Sequence, residues 1–500
     1  MKASEIFAKT LEEHELYPVY GNPGTTEIPM LSFVKDYRLT LHDSISVAMA
    51  DAVSQYSGRP AVVNLHSLPG ISNSMAFIYS AFKNNSPIII TAGQQDRRHL
   101  IYDPLLSGDQ VDMVSPYVKY AYEVRMPSEI PEAMKRAYEI AMTPPYGPVF
   151  LSFPMDLMDE DAEYHSSEFY STPGIAIDED IVKSIMDRVN SARKVAIVYG
   201  YEVDLYGAMD LAREFSTKLN VPVFSEPWSQ GSCCYRDQNF VRDLPPAMAA
   251  IDAILSTFDL VLFIGSDIFV YPYTPAEALR NVEAYFISTR PTHFAGHSII
   301  SDPRSFLSVA LKYAKKKENY KIAMGGGNEV AEEEIKMIHD YFKGYTAIDE
   351  AVTASGAVRK YFADGPKSYY TSRGGPLGWG DAATVGISAL QERTLGIIGD
   401  GAFMYTVQSL WTASRYGMPS KFVVLRNNAY NILRSYSKAF GYGIEDADFL
   451  KLEYDPVKVS EGLGVEARVY ASIDDIKWLK EEKKAKVLVI DTDQRIPEMF

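Results

Sequence analysis

Cysteine is nearly absent from this chain, which limits how the protein could be cross-linked or hold a metal. The 500 residues include two cysteines, Cys233 and Cys234, and the two are adjacent. An adjacent pair forms neither a disulfide framework nor a CxxC metal site. We interpret both as small buried thiols and expect a reducing compartment, the cytoplasm.

Basic charge and long apolar runs are also scarce. The chain has 49 basic and 65 acidic residues, so its formal net charge is -16. A nucleic-acid-binding protein needs a basic face to neutralise phosphates, and this balance argues against nucleic acid as a partner. Apolar runs stay shorter than the roughly 18 residues that a transmembrane helix needs, so we expect no membrane partner.

Short apolar strands alternate with helical segments along the whole chain. At 500 residues the chain is too long for one core and suggests about three domains. The alternation predicts parallel sheets covered by helices. We therefore predict an α/β fold of three doubly wound parallel-sheet domains, at residues 1–170, 180–324 and 330–500. The best linker is the polar run around Gly325–Gly327.

The middle stretch has a Rossmann-like pattern without the glycine fingerprint of a dinucleotide site. After its first strand, KVAIVYG, the segment GYEVDLYG offers only Gly200 and Gly207. A dinucleotide site uses GxGxxG at this place. The sequence neither excludes nor supports a bound dinucleotide in this domain. An NAD-linked dehydrogenase is therefore disfavoured.

Two strands of the last stretch end in oxygen-bearing side chains. LGIIGDGAF places Asp400 after one apolar strand, and KFVVLRNNAY places Asn427 and Asn428 after the next. Parallel strands deliver their carboxyl ends to one sheet edge, so Asp400 and Asn427 should converge. A carboxylate and an amide oxygen suit a hard cation such as Mg²⁺. Gly401 lets a helix N-terminus approach an anion closely, and together these features describe a diphosphate site.

These motifs resemble those of thiamin diphosphate (ThDP) dependent enzymes. GDG followed by NN, with residues 402–426 between them, is similar to the family's diphosphate-binding motif. GNPGTTEIP at 21–29, VNLHSLPG at 63–70 and TAGQQDRR at 91–98 resemble benzoylformate decarboxylases within that family. The resemblance implies a pyrimidine-binding first domain and a diphosphate-binding third domain. It also implies a homo-oligomer, a dimer or tetramer, with the cofactor between subunits.

The resemblance also assigns cofactor-binding residues by position. Asp400, Asn427 and the carbonyl of Ala429 would ligate Mg²⁺, although Asn428 stands where a glycine is usual. Leu377 matches the bulky residue that holds ThDP in its V shape, and the Gly375 carbonyl would accept the pyrimidine's amino hydrogen. The other residues expected to line the diphosphate are Gly399, Gly401, Ala402 and Tyr430, with a hydroxyl from Thr353 or Ser355.

Catalysis in this family needs a carboxylate that shares a proton with the pyrimidine N1′. Ungapped alignment of TLHDSISVAMAD puts Asp43 where glutamate is usual, and Asp43 is one methylene shorter. Asp43 also fits the N-cap of the helix that follows, with Ser44 and Ser46 next in sequence. Direct contact with the cofactor would then need a shifted helix or a bridging water. Both interpretations stay open from the sequence.

Two further side chains match substrate-handling positions. His66 ends the strand AVVNLH and matches an active-site histidine that transfers protons. Thr25 replaces a serine that contacts the substrate carboxylate, with a turn or cap hydroxyl as the alternative. A second family histidine, from the middle domain, has no counterpart, because Pro272 stands there between Tyr271 and Tyr273. Ile432 falls where a smaller residue lines an aromatic pocket, which suggests a shorter acyl group.

The leading hypothesis is therefore a ThDP- and Mg²⁺-dependent, non-oxidative decarboxylase (a carboxy-lyase) of a small 2-oxo acid. ThDP would take up the electrons released when CO₂ leaves. One alternative is an acetolactate synthase-like carboligase, which could carry FAD in the middle domain. Another is a ThDP-binding homologue with altered or absent catalysis, which the shorter Asp43 and the missing histidine motivate.

Overall fold

Three six-stranded parallel sheets form the framework of the protein. The computed structural model describes residues 1–171, 174–228, 231, 238–266, 279–318 and 329–497. Helices flank each sheet, which confirms the predicted α/β fold class. Three features discussed from the sequence lie outside the described residues: the cysteine pair, the 271–273 segment and the glycine run 325–327.

The first sheet has the strand order β2-β1-β3-β4-β6-β5. Its strands are β1 (Val19–Gly21), β2 (Tyr37–Leu39), β3 (Ala61–Leu65), β4 (Ile88–Gln94), β5 (Ala121–Glu123) and β6 (Val149–Pro154). Its helices are α1 (Ala3–Glu13), α2 (Ile28–Leu31), α3 (Asp43–Ser57), α4 (Ser67–Lys83), α5 (Gln110–Val114) and α6 (Ile130–Met142). The central strands β3, β4 and β6 are buried along their whole length, as expected of a parallel sheet covered on both faces.

The second sheet has the order β12-β11-β10-β7-β8-β9. Its strands are β7 (Val195–Tyr199), β8 (Val223–Ser225), β9 (Phe240–Asp243), β10 (Leu260–Ile264), β11 (Glu283–Ser288) and β12 (His297–Ile300). Its helices are α7 (Glu179–Ser191), α8 (Glu202–Leu205), α9 (Met209–Leu219), α10 (Met248–Leu255) and α11 (Pro303–Tyr313). Strands β7 and β10 are neighbours. The strands that follow β7 in sequence lie on one side of this pair and those that follow β10 lie on the other, so a topological switch point lies between them.

The third sheet has the order β14-β13-β15-β16-β18-β17. Its strands are β13 (Thr346–Glu350), β14 (Tyr369–Tyr370), β15 (Thr394–Gly399), β16 (Lys421–Arg426), β17 (Glu466–Val469) and β18 (Lys486–Asp491). Its helices are α12 (Glu332–Tyr341), α13 (Ser355–Phe362), α14 (Trp379–Ser388), α15 (Asp400–Phe403), α16 (Ser409–Arg415), α17 (Asn431–Phe440), α18 (Pro456–Gly462) and α19 (Ile473–Lys480). Strands β15 and β16 pair directly, with Gly399 opposite Leu425.

The segment YTVQSLWTASRYG between these two strands has apolar residues near helical spacing, but its helix α16 covers only Ser409–Arg415. Val407 and Leu410 are nevertheless both buried. Residues 404–408 form turns that connect α16 to the separate single-turn helix α15 at Asp400–Phe403.

The chain contacts divide the protein into two compact units. One comprises residues 1–172, 329–358 and 372–500, and the other residues 173–328 and 359–371. Within the first unit, α3 and α14 pack closely side by side: a Cβ on Gly386 would lie 2.8 Å from the Met49 carbonyl oxygen. Glycine at this position therefore permits the close helix approach. Among the described helices, none is long and apolar enough to cross a membrane.

Candidate functional site

Two carboxyl groups and one imidazole lie together at the carboxyl edge of the first sheet. Glu27 follows β1, Asp43 follows β2 and His66 follows β3, and these three strands are neighbours. The backbone N–H of His66 donates to Asp43 Oδ1 at 3.1 Å. The imidazole Nδ1 of His66 lies 2.8 Å from Glu27 Oε2. The topology thus places the proposed acid and the proposed proton carrier side by side.

Asp43 does not cap α3. It is the first helical residue, and the preceding His42 is the N-cap, with Nδ1 accepting from the Ser44 N–H at 3.3 Å. Asp43 is only 6% exposed. Burial raises the pKa of the Asp43 carboxyl, and the His66 N–H opposes that rise. The structure therefore gives the capping role to His42 and leaves Asp43 as a buried acid beside His66.

Glu27, which no sequence motif distinguishes, organises this edge through its carboxylate. Glu27 is fully buried. Its Oε2 accepts from the Gly24 N–H at 2.8 Å, in addition to the contact with His66. Its Oε1 accepts from three groups: the Thr26 hydroxyl at 2.7 Å, the Ser67 N–H at 3.1 Å and the Gly93 N–H at 2.9 Å. These donors offset the cost of burying a charge.

The contact with Glu27 fixes how His66 can work. A carboxylate accepts only, so we assign the proton on the shared bond to Nδ1 of His66. Nε2 is then the ring nitrogen left to exchange a proton with a reactant. The His66 side chain is 27% exposed, which keeps that nitrogen within reach of a ligand.

The segments around His66 leave the ring little freedom. A Cβ on Gly24 would lie 2.0 Å from Cε1 of His66, so a side chain at this position would displace the ring. Ser67, the next residue, has a φ of 50°, a left-handed conformation that is strained for a residue with a side chain. Such strain persists where the surrounding structure fixes it, and Glu27 does so here by accepting from the Ser67 N–H.

Thr25 and Thr26 occupy different environments. Thr25, the predicted substrate-contacting residue, is exposed at the rim of this edge. Thr26 is 2% exposed, and its hydroxyl lies 2.7 Å from that of Ser67. Thr26 therefore belongs to the network under His66, whereas Thr25 is open to a ligand.

The carboxyl edge of the third sheet brings together Asp400 and Asn427, the two side chains of the GDG and NN motifs. Asp400 Oδ2 accepts from the backbone N–H groups of Asn427 at 3.2 Å and Asn428 at 2.7 Å. Its Oδ1 accepts from the Gly401 N–H at 3.0 Å. The residues predicted to share a cation are therefore adjacent at the end of β15 and β16.

The donor set at this edge fits Mg²⁺. Asp400 is 2% exposed. Burial raises the pKa of the Asp400 carboxyl to about 6, and the surrounding backbone N–H groups lower it only in part. Asn427 Oδ1 accepts from the Ala429 N–H at 3.0 Å, which holds the amide beside Asp400. A carboxylate, an amide oxygen and a carbonyl are hard oxygen ligands; clusters of three or more His, Cys, Asp or Glu side chains suited to a metal are absent from the described ranges.

The same edge has room for a phosphate-bearing group. A cavity of about 420 Å³ opens there, and its walls carry charges of both signs. The charged lining residues are Arg434, Lys451, Glu445, Asp446 and Glu453, and the others include Asn427, Asn428, Ala429 and Tyr454. The Tyr454 hydroxyl donates to the Asp400 carbonyl at 2.6 Å.

Glycine is required where the predicted diphosphate residues meet. A Cβ on Gly401 would lie 2.8 Å from Cε1 of Tyr430, so Tyr430 packs directly on this glycine. The remaining predicted residues differ in exposure: Ala402 and Thr353 are buried, while Gly399 is half-buried. Gly401 and Ala402 thus lie in the first turn of α15, directly after Gly399, with the Tyr430 ring against Gly401.

The glycine-rich loop before α14 carries Gly375 and Leu377. Gly375 is exposed with a φ of 75°, and Leu377 is half-buried. Glu350, at the end of β13, holds the loop's helix side by accepting from the Gly378 and Gly380 N–H groups, each at 2.8 Å. Burial raises the pKa of the Glu350 carboxyl to about 8. Glu350 was not predicted, because an acid at a strand end has no distinguishing sequence signal.

The switch point of the second sheet does not fit a dinucleotide. Glu226 Oε1 accepts from the Tyr201 N–H at 2.9 Å, and a Cβ on Gly200 would lie 2.5 Å from Glu226 Oε2. Glu202, also fully buried, accepts from the Thr289 N–H at 3.1 Å, and burial raises its pKa to about 7. Two buried carboxyl groups therefore lie at this switch point, and they disfavour an anionic diphosphate there.

Comparison with known proteins gives the family. The profiles of three thiamine pyrophosphate (TPP, the same compound as ThDP) enzyme domains match the chain: the N-terminal TPP binding domain at residues 1–113, the central domain at 182–309 and the C-terminal TPP binding domain at 352–492. The central profile spans all six strands of the second sheet, and the other two profiles each match most of the strands of the first and third sheets.

Individual relatives match over almost the whole length. The chain is 30% identical to the benzoylformate decarboxylase of Pseudomonas aeruginosa, over 93% of each protein. It is 24% identical to the acetolactate synthase large subunit of Lactococcus lactis, over 96% of this chain and 90% of that protein. The solved structure of benzoylformate decarboxylase from Polynucleobacter necessarius has a TM-score of 0.92 and 26% identity, over 99% of both chains.

These matches agree with the three parallel sheets and with the acidic groups at the carboxyl edges of the first and third. The chain belongs to the thiamine pyrophosphate enzymes, and within that family it resembles the benzoylformate decarboxylases.

Proposed function

We propose that the protein is a ThDP- and Mg²⁺-dependent decarboxylase of a small 2-oxo acid. The observation that carries this proposal is the Glu27–His66 pair beside Asp43, which places a proton-transferring ring next to a buried acid. When bound, ThDP supplies the carbanion that attacks the 2-oxo group and accepts the electrons released with CO₂. The protein's own residues must bind, orient and exchange protons with the reactants.

The residues divide this work between the two sheet edges. Asp400, Asn427 and the Ala429 carbonyl would hold Mg²⁺, and Gly401 would admit the diphosphate to the start of α15. The Gly375 carbonyl and the Leu377 side chain would hold the pyrimidine and the bend of the cofactor. Since family members place ThDP between subunits, we propose a homodimer or homotetramer as the active form. The two-cysteine composition favours the cytoplasm as its compartment.

Asp43 and His66 would handle protons at separate places. Asp43 Oδ1 accepts from the His66 N–H, so Oδ2 is the oxygen that would share a proton with the pyrimidine N1′. Because Asp43 is shorter than the usual glutamate, that proton would pass through a bridging water. His66 Nε2 would exchange a proton with the substrate or product, and Thr25 would contact the substrate carboxylate.

The substrate is expected to be smaller than benzoylformate. Ile432 is half-buried at the start of α17, next to the proposed metal edge. A branched side chain reduces the volume available to the acyl group where the family accommodates an aromatic ring. We propose an aliphatic 2-oxo acid on this basis.

An acetolactate synthase-like carboligase is the second candidate, because a relative of that name matches almost the whole chain. The buried Glu202 and Glu226 at the switch point argue against FAD in this chain. A third candidate, a ThDP-binding homologue with altered catalysis, rests on the shorter Asp43.

The proposed function is tested by a CO₂-release screen over aliphatic and aromatic 2-oxo acids, with ThDP and Mg²⁺ added. We expect release from at least one short aliphatic acid, with an aldehyde as the second product and no flavin absorbance at 450 nm in the purified protein. Formation of a 2-hydroxy-2-methyl-3-oxo acid in place of the aldehyde would favour the carboligase. No turnover of any substrate, with ThDP bound, would favour the catalytically altered homologue.

Replacing Asp43 tests its proposed role in cofactor activation. Asp43→Ala removes the carboxylate that would share a proton with N1′, so we expect weaker ThDP binding and a loss of about 10²–10⁴-fold in the exchange rate of the ThDP C2 proton. The rate is measured by NMR in D₂O at saturating ThDP. Asp178→Ala, an exposed helix cap in the second sheet's α7, is the control and should exchange normally. Normal exchange in Asp43→Ala would exclude the role.

The pKa of Asp400 predicts how metal affinity depends on pH. The folded-state pKa is raised from 3.8 to about 6, so the carboxyl binds a proton below about pH 6 and is available to Mg²⁺ above it. A proton and Mg²⁺ then compete, and the Mg²⁺ affinity should fall by about tenfold per pH unit below that point. Mg²⁺ titrations of ThDP binding between pH 5 and 8 measure this. Asp400→Asn should bind weakly at every pH, and a flat wild-type profile would contradict the assignment.

Substituting Gly24 tests whether the position of the His66 ring matters. Gly24→Ala would place a Cβ 2.0 Å from the ring, which must swing away. The ring is the mobile end of a side chain, so we expect little change in Tm but a loss of about 10² in kcat/KM, because small displacements of a reacting group are costly. Gly462→Ala, where a Cβ meets no atom within 4 Å, is the control. Full activity in Gly24→Ala would show that the placement of His66 is irrelevant.

A further inference from the structure

We propose that Asp51 is a positioning residue that fixes both ends of the glycine-rich loop at residues 373–378. This loop carries Gly375 and Leu377, so the importance of the proposal for catalysis rests on the proposed function. The proposal itself concerns contacts within one chain, and those contacts can be tested without any cofactor.

Asp51 is a fully buried acid on α3, about two helical turns beyond Asp43. Its carboxylate accepts hydrogen bonds from four side chains. The donors are Gln55 Nε2 at 2.7 Å, Asn84 Nδ2 at 2.8 Å, Trp379 Nε1 at 2.8 Å and the Ser86 hydroxyl. Only Gln55 belongs to α3, so Asp51 joins three separate parts of the fold. A buried carboxylate with four donors is well compensated, and losing one donor leaves the charge partly unpaired.

The helix end of the loop is held through Trp379. Trp379 is the first residue of α14 and lies two positions after Leu377. Its side chain is fully buried, and the indole N–H reaches across to Asp51 Oδ2. The start of α14 therefore cannot shift along α3 without breaking this hydrogen bond.

The other end of the loop is held through Asn84. The Asn84 side chain donates to Asp51 with Nδ2, and with Oδ1 it accepts from the Arg373 backbone N–H at 2.8 Å. Beside it, the Ser80 and Ser372 hydroxyls lie 2.6 Å apart. Asn84 thus relays the position of Asp51 to the residue immediately before the two glycines.

Between these ends, Gly374 packs on Ser80, where a Cβ would lie 2.5 Å from the Ser80 Cα, but the next residue is open. Gly375 is exposed, and a Cβ at that position would meet no atom within 4 Å. Both Gly375 and Gly378 have positive φ values, 75° and 93°, in a region that glycine enters freely. The hydrogen bonds of Glu350 restrain the helix side of the loop, at Gly378, Trp379 and Gly380. Since Gly375 lies in the open part of the loop, its position depends on how firmly the two ends are held.

The same helix thus carries two elements of the proposed chemistry. Asp43 begins α3, and Asp51 on that helix determines where the Gly375–Leu377 segment lies. Groups that bind a reactive cofactor need supporting contacts to keep them in place, and a displacement of about 1 Å can cost on the order of 10²-fold in rate. Asp51 acts through Trp379 and Asn84, and touches no reactant itself.

The test compares hydrogen–deuterium exchange of residues 373–378 in the cofactor-free protein. Trp379→Phe keeps an aromatic ring but removes the N–H, and Asn84→Ala removes the relay to Arg373. We expect each variant to raise exchange in this loop about tenfold and to weaken ThDP binding about tenfold. Ser388→Ala is the matched control: it removes a buried hydrogen bond at 2.6 Å to Ser420, at the other end of the same helix.

The outcomes are distinct. Faster hydrogen exchange confined to the loop in either variant, with loop exchange unchanged in Ser388→Ala, supports the positioning role of Asp51. If both variants lower Tm as Ser388→Ala does while loop exchange and ThDP affinity stay at wild-type values, Asp51 is only structural and the proposal is overturned. Should Trp379→Phe not fold, Asn84→Ala decides by the same measurements. Failure of the wild-type protein to bind ThDP would reject the proposed function and leave the loop result standing.

Discussion

Buried carboxylates that accept hydrogen bonds from distant segments hold this structure's functional edges together. Glu27 joins the loop after β1 to β3 and β4, and Asp400 joins the end of β15 to the end of β16. Glu350 ties β13 to the start of α14, and Asp51 ties α3 to the same helix. Each carboxylate would be costly to bury alone, so its donors must stay in place. The requirement to satisfy these buried acids with hydrogen-bond donors makes the loops at the sheet edges specific in shape.

Asp381 is the exception, and it shows what the other carboxylates gain from their donors. It lies on α14 beside Glu350, and both of its oxygens are buried without a hydrogen-bond partner. Burial, reinforced by the nearby Glu350, raises the pKa of Asp381 well above its ordinary value. Burial also raises the pKa of Asp51, but there the hydrogen bonds from four side-chain donors oppose the rise. Acids at similar depth therefore differ in how far N–H and O–H donors counter the effect of burial.

The sequence predicted the fold class because that class depends on local patterns, whereas the Mg²⁺ site at Asp400 and Asn427 stays a prediction. Apolar runs alternating with helices define parallel sheets, and parallel strands ending in Asp400 and Asn427 must meet at one edge. Short edge strands such as β5 and β9 escaped prediction, since they are only partly buried and have weak patterns. The part played by Glu27 could not be predicted either. Its donors come from Gly24, Thr26, His66, Ser67 and Gly93, and only the folded chain brings these together.

The hydrogen bond from the His66 N–H to Asp43 affects how a shorter acid could serve in place of glutamate. A free aspartate would sample several rotamers, but Asp43 is buried and accepts from the backbone N–H of His66. The imidazole of His66 is in turn held by Glu27, and the missing side chain at Gly24 leaves space for the ring in this position. The acid and the ring therefore keep one spacing, and any reactant bound at this edge meets both in a fixed arrangement. If the acid is already fixed, binding a bridging water immobilises only the water. A mobile acid would lose conformational entropy as well, so it would hold the water less well.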